Sequence, residues 1–252
     1  MNTYVLIHGS WHGSWCWNKV APLLEKQGQK VLTPDLPGHG GDNTPIAEIS
    51  LQAYVDKVLD VINAQPDPVI LVGHSMGGVV ITQTAEQQPD KIKTLVYLCA
   101  FLPRNGESLF QLAQQDQASQ VLPNLMPNEA EGWMTLPEEA LQTIFYHDCN
   151  ADDVAFAKAQ WTPKEPMAPV GTPVQISAAN FGQVPRVYIE CLQDKTLGPA
   201  MQRTMYSATP CRQLLSLNTS HSPFLSAPQS LVEHLLTAAQ INVAVGAEQV
   251  GL

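Results

Sequence analysis

Val69-Ile70-Leu71-Val72-Gly73-His74-Ser75-Met76-Gly77 is the stretch that decides the fold of this chain. Its first four residues form a short, wholly apolar run, the pattern of a strand buried on both faces. Behind the second glycine, Val79, Val80, Ile81 and Ala85 recur as a helix face that stops at Pro89. Gly-x-Ser-x-Gly at a strand-to-helix junction is the signature of a nucleophile elbow. The turn is so tight that the positions flanking serine can carry almost no side chain, and the hydroxyl is pushed out over the sheet edge. An ordinary glycine-rich turn would need neither the strand nor the helix. Ser75 is therefore the expected nucleophile.

Working outward, short apolar runs alternate with amphipathic stretches, the pattern of a mostly parallel sheet flanked by helices. Strands are expected at Tyr4 to Ile7, Val31 to Thr33, Val69 to Val72, Thr94 to Leu98, Arg186 to Cys191 and Gln213 to Leu217. Helices are expected at Trp15 to Gln27, Leu51 to Asn63, Gly77 to Gln88, Pro199 to Ser207 and Pro228 to Ala239. The second follows a good N-cap, Ser50, and Tyr54, Val55, Val58, Leu59 and Ile62 form its core-facing stripe.

The alternation breaks between Pro103 and Pro185, a proline-rich third with a Gln-rich patch and helical pieces at Glu138 to Tyr146 and Asp152 to Gln160. It has no coherent core pattern of its own, so it reads as a partly helical cap over the carboxyl ends of the strands, where open α/β sheets bind ligands. The expected division is residues 1–102 and 186–240 as the two parts of the core, 103–185 as the cap and 241–252 as a loose tail.

The 252 residues suit one large domain, and 44% hydrophobic with 14% charged residues describes a globular chain. Thirteen basic against 23 acidic residues give a net charge of -10, which repels phosphate backbones, so nucleic acid is excluded as a partner. No apolar run approaches the roughly 20 residues that cross a bilayer. Met1 leads almost at once into a strand, which leaves no signal peptide to read and points to a cytoplasmic address. Cysteines 16, 99, 149, 191 and 211 are widely spaced with no Cys-x-x-Cys pair, so reduced, structural thiols are expected.

A serine hydroxyl needs a base to take its proton, and the base needs a carboxylate to fix its tautomer. In the hydrolase order Ser, Asp/Glu, His, the candidate bases after Ser75 are His147, His221 and His234. His147 lies inside the cap and His234 mid-helix. His221 follows a strand and the small polar turn Asn218-Thr219-Ser220, a loop able to lower an imidazole onto the serine. The acid should follow a strand between the two, and Asp194 does. Glu190 is inside that strand, Asp148, Asp152 and Asp153 belong to the cap, and Asp35 precedes the serine.

Negative charge built on the carbonyl oxygen calls for two preset backbone N–H groups. Met76, directly after the nucleophile, should give one, and Ser10, in the Gly-rich loop after the first strand, the other. A metal reading of His8 and His12 is set aside because that stretch is a loop and lacks the Glu of a zinc-protease motif. No metal or cofactor is expected. Gly9, Trp11, Phe101, Leu102, Trp133 and Phe224 are candidates to line an apolar substrate pocket.

His8-Gly9-Ser10-Trp11-His12-Gly13-Ser14-Trp15-Cys16-Trp17, Pro34-Asp35-Leu36-Pro37-Gly38-His39-Gly40, Gly73 to Gly78, Phe145-Tyr146-His147-Asp148-Cys149 and Tyr188 to Asp194 together give a wider match. Over nearly its whole length the chain resembles the plant methylesterase and hydroxynitrile lyase family of the α/β-hydrolases, and bacterial esterases of the same architecture, some acting on pyrethroid-type esters. The resemblance implies a six-stranded core, a helical cap, a Ser75/Asp194/His221 triad and often a homodimer. Members with lyase activity typically carry Thr after the first loop His and Lys after the catalytic His, the latter a natural stabiliser of departing cyanide. This chain has Gly9 and Ser222 there, so the resemblance implies an esterase rather than a lyase. Dehalogenase and epoxide hydrolase chemistry on this fold would need a carboxylate in place of Ser75.

The sequence thus predicts a carboxylic ester hydrolase acting through an acyl-serine intermediate on small to medium, apolar esters. The alternatives are hydroxynitrile lyase chemistry and a hydrolase-fold receptor that binds a small molecule without turning it over.

Overall fold

The computed structural model describes residues 1–241. Strands β1 (Thr3–Ile7), β2 (Lys30–Leu32), β3 (Val69–His74) and β4 (Ile92–Leu98) open the chain. Three short strands, β5 (Met126–Asn128), β6 (Trp133–Thr135) and β7 (Glu165–Pro166), come next, followed by β8 (Arg186–Cys191) and β9 (Gln213–Leu217). The main sheet has six strands in the order β2-β1-β3-β4-β8-β9, every neighbouring pair parallel. The expected α/β-hydrolase sheet is present, with β8 and β9 at their expected bounds.

Helices α1 (Val20–Lys26), α2 (Leu51–Asn63) and α3 (Gly77–Gln87) belong to the first half. Side chains of Tyr4 to Ile7 and Val69 to Val72 are fully buried, as they must be in a parallel sheet covered on both faces. The α2 stripe of Leu51, Tyr54, Val55, Val58 and Ile62 is buried against this sheet system, each side chain worth about 1.5–3 kcal/mol of transfer free energy. The Ser50 hydroxyl caps α2 by accepting the Ala53 N–H at 3.1 Å.

A single helix over Trp15 to Gln27 does not form. Ser14–Trp17 is a separate 3-10 turn, and α1 begins only at Val20. Pro22 explains the break: it is tolerated in the first turn of α1, where its missing N–H leaves no bond unmade, but would sit in the interior of a longer helix.

Between β4 and β8 the chain runs through α4 (Leu109–Ala113), α5 (Val121–Asn124), β5, β6, α6 (Glu138–Phe145), α7 (Ala151–Gln160), β7 and α8 (Met167–Gly171). Strands β5-β6-β7 form a small antiparallel sheet of their own. After β8 come α9 (Pro199–Ala208), β9, α10 (Pro223–Ser226) and α11 (Pro228–Ala238). Of the tail expected at residues 241–252, all but Ile241 lies outside the described residues.

The chain order reverses between β1, whose next strand lies on one side, and β3, which lies on the other. Such a switch point opens a crevice at the carboxyl ends of the strands. The loop bearing Ser10 and the turn bearing Ser75 leave β1 and β3 at that point.

Candidate active site

Ser75 occupies the turn between β3 and α3 with φ of 54°, a left-handed backbone rare for any residue but glycine. Such a conformation costs about 1–3 kcal/mol and persists only where the surroundings over-determine it. Here the Ser75 N–H donates to the Leu98 carbonyl at 3.3 Å, and the Ser75 carbonyl accepts the Phe101 N–H at 3.1 Å. The flanking glycines are forced by contact: a Cβ on Gly73 would lie 2.6 Å from the Gly77 carbonyl oxygen, and one on Gly77 would lie 2.8 Å from the carbonyls of Ile7 and His8.

His221 is fully buried, and its Nδ1–H donates to Asp194 Oδ2 at 2.6 Å. Its other nitrogen, Nε2, is buried with no partner among the described residues. His74 ties the His221 loop to the elbow, its Nε2–H donating to the His221 carbonyl at 2.9 Å. Burial, then the nearby His221 ring, lowers the pKa of His74 well below the ordinary histidine value, so it serves as a neutral donor.

Asp194 is held as an acceptor on both oxygens. Oδ1 takes the N–H groups of Thr196 at 2.7 Å and Leu197 at 2.9 Å, and Oδ2 takes Gln202 Nε2 at 3.3 Å besides the histidine. Gln202 is itself fully buried, and its amide closes a ring of bonds to Cys191 N–H at 3.2 Å and the Leu197 carbonyl at 2.7 Å. Asp148, in the insertion between β4 and β8, accepts the Ser220 N–H at 2.9 Å and the Ser220 hydroxyl, fixing the residue just before His221.

The backbone N–H groups of Ser10 and Met76 donate to no protein acceptor among the described residues. The Ser10 loop is set by His12, whose Nδ1–H donates to the Ser10 carbonyl at 2.7 Å while its Nε2 accepts the Tyr146 hydroxyl at 2.8 Å. Burial pushes the His12 pKa down to about 3, which keeps the ring neutral. His8 is likewise used up, accepting the Leu36 N–H at 3.1 Å and donating to the Gly9 carbonyl at 2.9 Å. Neither ring has a nitrogen left over for a metal ion.

An apolar pocket opens onto Ser75 and Ser10, lined on the core side by Trp11 and Phe101 and on the insertion side by Leu109, Leu122, Leu125, Met134, Phe145 and Val170. Trp11 and Phe101 thus stand where the sequence reading put them, but four other candidates do not. Gly9 lies beneath the elbow, where a Cβ would come within 2.7 Å of Ser75 Cβ, and so packs under the Ser75 turn rather than lining the pocket. Leu102 turns toward α9, its N–H donating to Met205 Sδ at 3.4 Å. Phe224 is core, packed edge-on against His74 at 5.0 Å and Trp17 at 5.5 Å.

Trp133 sits on the outer side of the small sheet, with Glu131 on its indole N–H at 2.8 Å and Lys164 Nζ 4.9 Å from its ring centre. Met134, one residue on, faces the pocket instead, as strand alternation requires. Sequence reasoning also missed Gln202 and Asp148, because a polar residue on a helix or in a loop carries no signal of the partner it will meet.

Relatives agree with this architecture. The chain is 36% identical over 255 residues to a chloroplastic Arabidopsis thaliana protein named as a candidate methylesterase, number 11, covering 96% of this chain but only 65% of that protein's length. It is 30% identical over 254 residues to Arabidopsis thaliana methylesterase 9, covering 95% and 98% of the two chains. The crystal structure of a pyrethroid hydrolase from Sphingobium faniae superposes with a TM-score of 0.83 at 29% identity, over 94% of this chain and 97% of that one. Residues 4–234 match the model of the alpha/beta hydrolase family, and the chain belongs to that family.

Proposed function

We propose that this chain is a carboxylic ester hydrolase working through an acyl-serine intermediate on neutral, apolar esters of small to medium size. The observation that carries the reading is His221: buried, oriented through Nδ1 by Asp194 at 2.6 Å, and with Nε2 left unpartnered on the loop that His74 ties to Ser75. A buried imidazole nitrogen without a partner is costly unless a reacting group completes it.

In the reaction, the Ser75 hydroxyl gives its proton to His221 Nε2 as Oγ attacks the ester carbonyl. The N–H groups of Ser10 and Met76 receive the oxyanion. As the tetrahedral species collapses, His221 returns the proton to the departing alcohol and leaves an acyl group on Ser75. Water then enters with His221 again as base, releasing the acid. Asp194 orients the ring through Nδ1 and stabilises the imidazolium.

The lining supports apolar substrates, and among the described residues Asp116 is its one charged side chain, so a second negative charge is disfavoured there. No described Lys or Arg lines the pocket, and the position after His221 holds the buried Ser222. That supports hydrolysis over cyanohydrin cleavage, which would need a cation for cyanide. The names of the relatives, methylesterase and pyrethroid hydrolase, point the same way.

The test is p-nitrophenol release from acetate and butyrate esters by the parent and by Ser75→Ala. The expected result is turnover by the parent and a loss of about 10³-fold or more in the variant. Equal rates would overturn the assignment of Ser75, and an inactive parent that still binds product-like acids tightly would favour a receptor.

A further inference from the structure

Trp11, the residue after the oxyanion donor Ser10, has φ of 59°, a left-handed backbone that a bulky residue adopts only when its neighbours hold it there. Both of its backbone polar groups are held by the insertion. The Trp11 N–H donates to Glu165 Oε2 at 2.6 Å, and its carbonyl accepts the Thr162 N–H at 3.0 Å. Its ring stacks on Trp161, with centroids 5.7 Å apart.

Glu165 is fully buried, and the same oxygen accepts His39 Nε2–H at 2.9 Å. His39 is also buried, and its Nδ1–H donates to the Pro37 carbonyl at 3.1 Å. Both ring nitrogens therefore face acceptors, the arrangement of an imidazolium. The second carboxylate oxygen, Oε1, is buried with no partner among the described residues. Burying a carboxylate and an imidazolium is expensive even when they are paired. An amide in place of Glu165 would hold Trp11 with a weaker bond, because a hydrogen bond to a charged acceptor is shorter and roughly twice as strong as a neutral one.

We propose that Glu165 is a positioning residue for the oxyanion hole: through the Trp11 N–H it fixes the Ser10–Trp11 peptide, which adjoins the one that presents the Ser10 N–H, and His39 holds the same carboxylate oxygen in place. Residues 162–165 and the hole then assemble as one unit, so the hole is complete only when the insertion is docked. The consequence for rate rests on the esterase reading. Oxyanion donors act only if they are preset, and a shift of about 1 Å costs on the order of 100-fold.

Two variants test it. Glu165→Gln keeps the volume and an oxygen able to accept from Trp11, whereas Glu165→Ala removes the acceptor. Both are compared with the parent in kcat and KM on p-nitrophenyl butyrate, and in amide hydrogen exchange at Trp11, with Val72 in β3 as the internal reference. Glu165→Ala should lower kcat about 10- to 100-fold with KM within about twofold. Its Trp11 amide should exchange faster while Val72 keeps the parent rate, and Glu165→Gln should fall between the two.

Parent-like kcat in the Ala variant, or parent-like exchange at Trp11, overturns the proposal. So does a loss of protection at Val72 equal to that at Trp11, because the role would then be general to the fold. Should Glu165→Ala not fold, Glu165→Gln decides by the same criteria. A parent that does not hydrolyse the ester defeats the esterase reading alone, and the exchange measurement still decides whether Glu165 holds Trp11.

Discussion

The buried polar residues around His221 differ in what surrounds them. Asp194 is surrounded by donors: two backbone N–H groups, the Gln202 amide and the His221 ring. Its place after β8 was legible, because the sequence reading looked for the proposed triad's acid at a strand's carboxyl end. Gln202, eight residues further on, read as one more polar helical residue.

His39 is the opposite case, a buried histidine that stays charged. Burial alone would lower its pKa, but the Glu165 carboxylate, the Pro37 carbonyl and Asp35 together outweigh burial and raise it above the ordinary value of about 6.5. The other titratable groups facing it are Asp35, which also raises it, the His8 ring at 5.0 Å, which burial keeps neutral, and Tyr54 at 5.7 Å, whose phenol burial keeps protonated. A group whose folded pKa is raised contributes stability in full below its unfolded pKa and loses it as pH rises through the folded value. The difference in melting temperature between parent and His39→Gln should therefore be largest below about pH 6.5 and shrink as the pH is raised above it. A difference that stays constant or grows would contradict the ion pair.

Elements were legible in proportion to how much of their identity is local. Strand β8 and helix α2 run between the residues the sequence marked, since a short apolar run and a capped amphipathic stripe are set by neighbours along the chain. The small sheet β5-β6-β7 was invisible. Its strands are two or three residues long, two contain proline, and one of its two pairings joins Met134 and Trp133 to Glu165 and Pro166 from a distant segment. Yet this sheet supplies both Met134 to the pocket and Glu165 to the oxyanion loop.

Alternation along β6 gives a sharp expectation. Trp133→Ala, on the outer side, should leave kcat/KM for p-nitrophenyl butyrate within about twofold of the parent. Met134→Ala, one residue on, should change it by about 10-fold or more by enlarging the pocket, as the loss of buried methylenes is worth about 1–3 kcal/mol. The reverse ranking would mean that β6 presents its other face.

At the scale of the molecule, residues 10, 75, 194 and 221 come from four separate stretches, and the parallel sheet makes them neighbours. Each follows the carboxyl end of its strand, β1, β3, β8 or β9, and the order β1-β3-β4-β8-β9 sets those ends side by side. This convergence was readable in the sequence, because chain order and strand ends are both visible there. What was not readable is the insertion's side of the site. Leu109, Leu122, Met134 and Glu165 come from a proline-rich segment without periodicity, and only tertiary packing assigns them their places.

The account turns on an acyl-serine at residue 75, and covalent trapping tests it most directly. After incubation with an alkyl fluorophosphonate, which attaches to activated serines with loss of fluoride, the protein is digested and its peptides are weighed. The account predicts a single adduct on the peptide containing Ser75, absent in Ser75→Ala and formed in step with the loss of ester hydrolysis. Complete loss of hydrolysis with Ser75 unmodified, or an adduct confined to another residue, would contradict it.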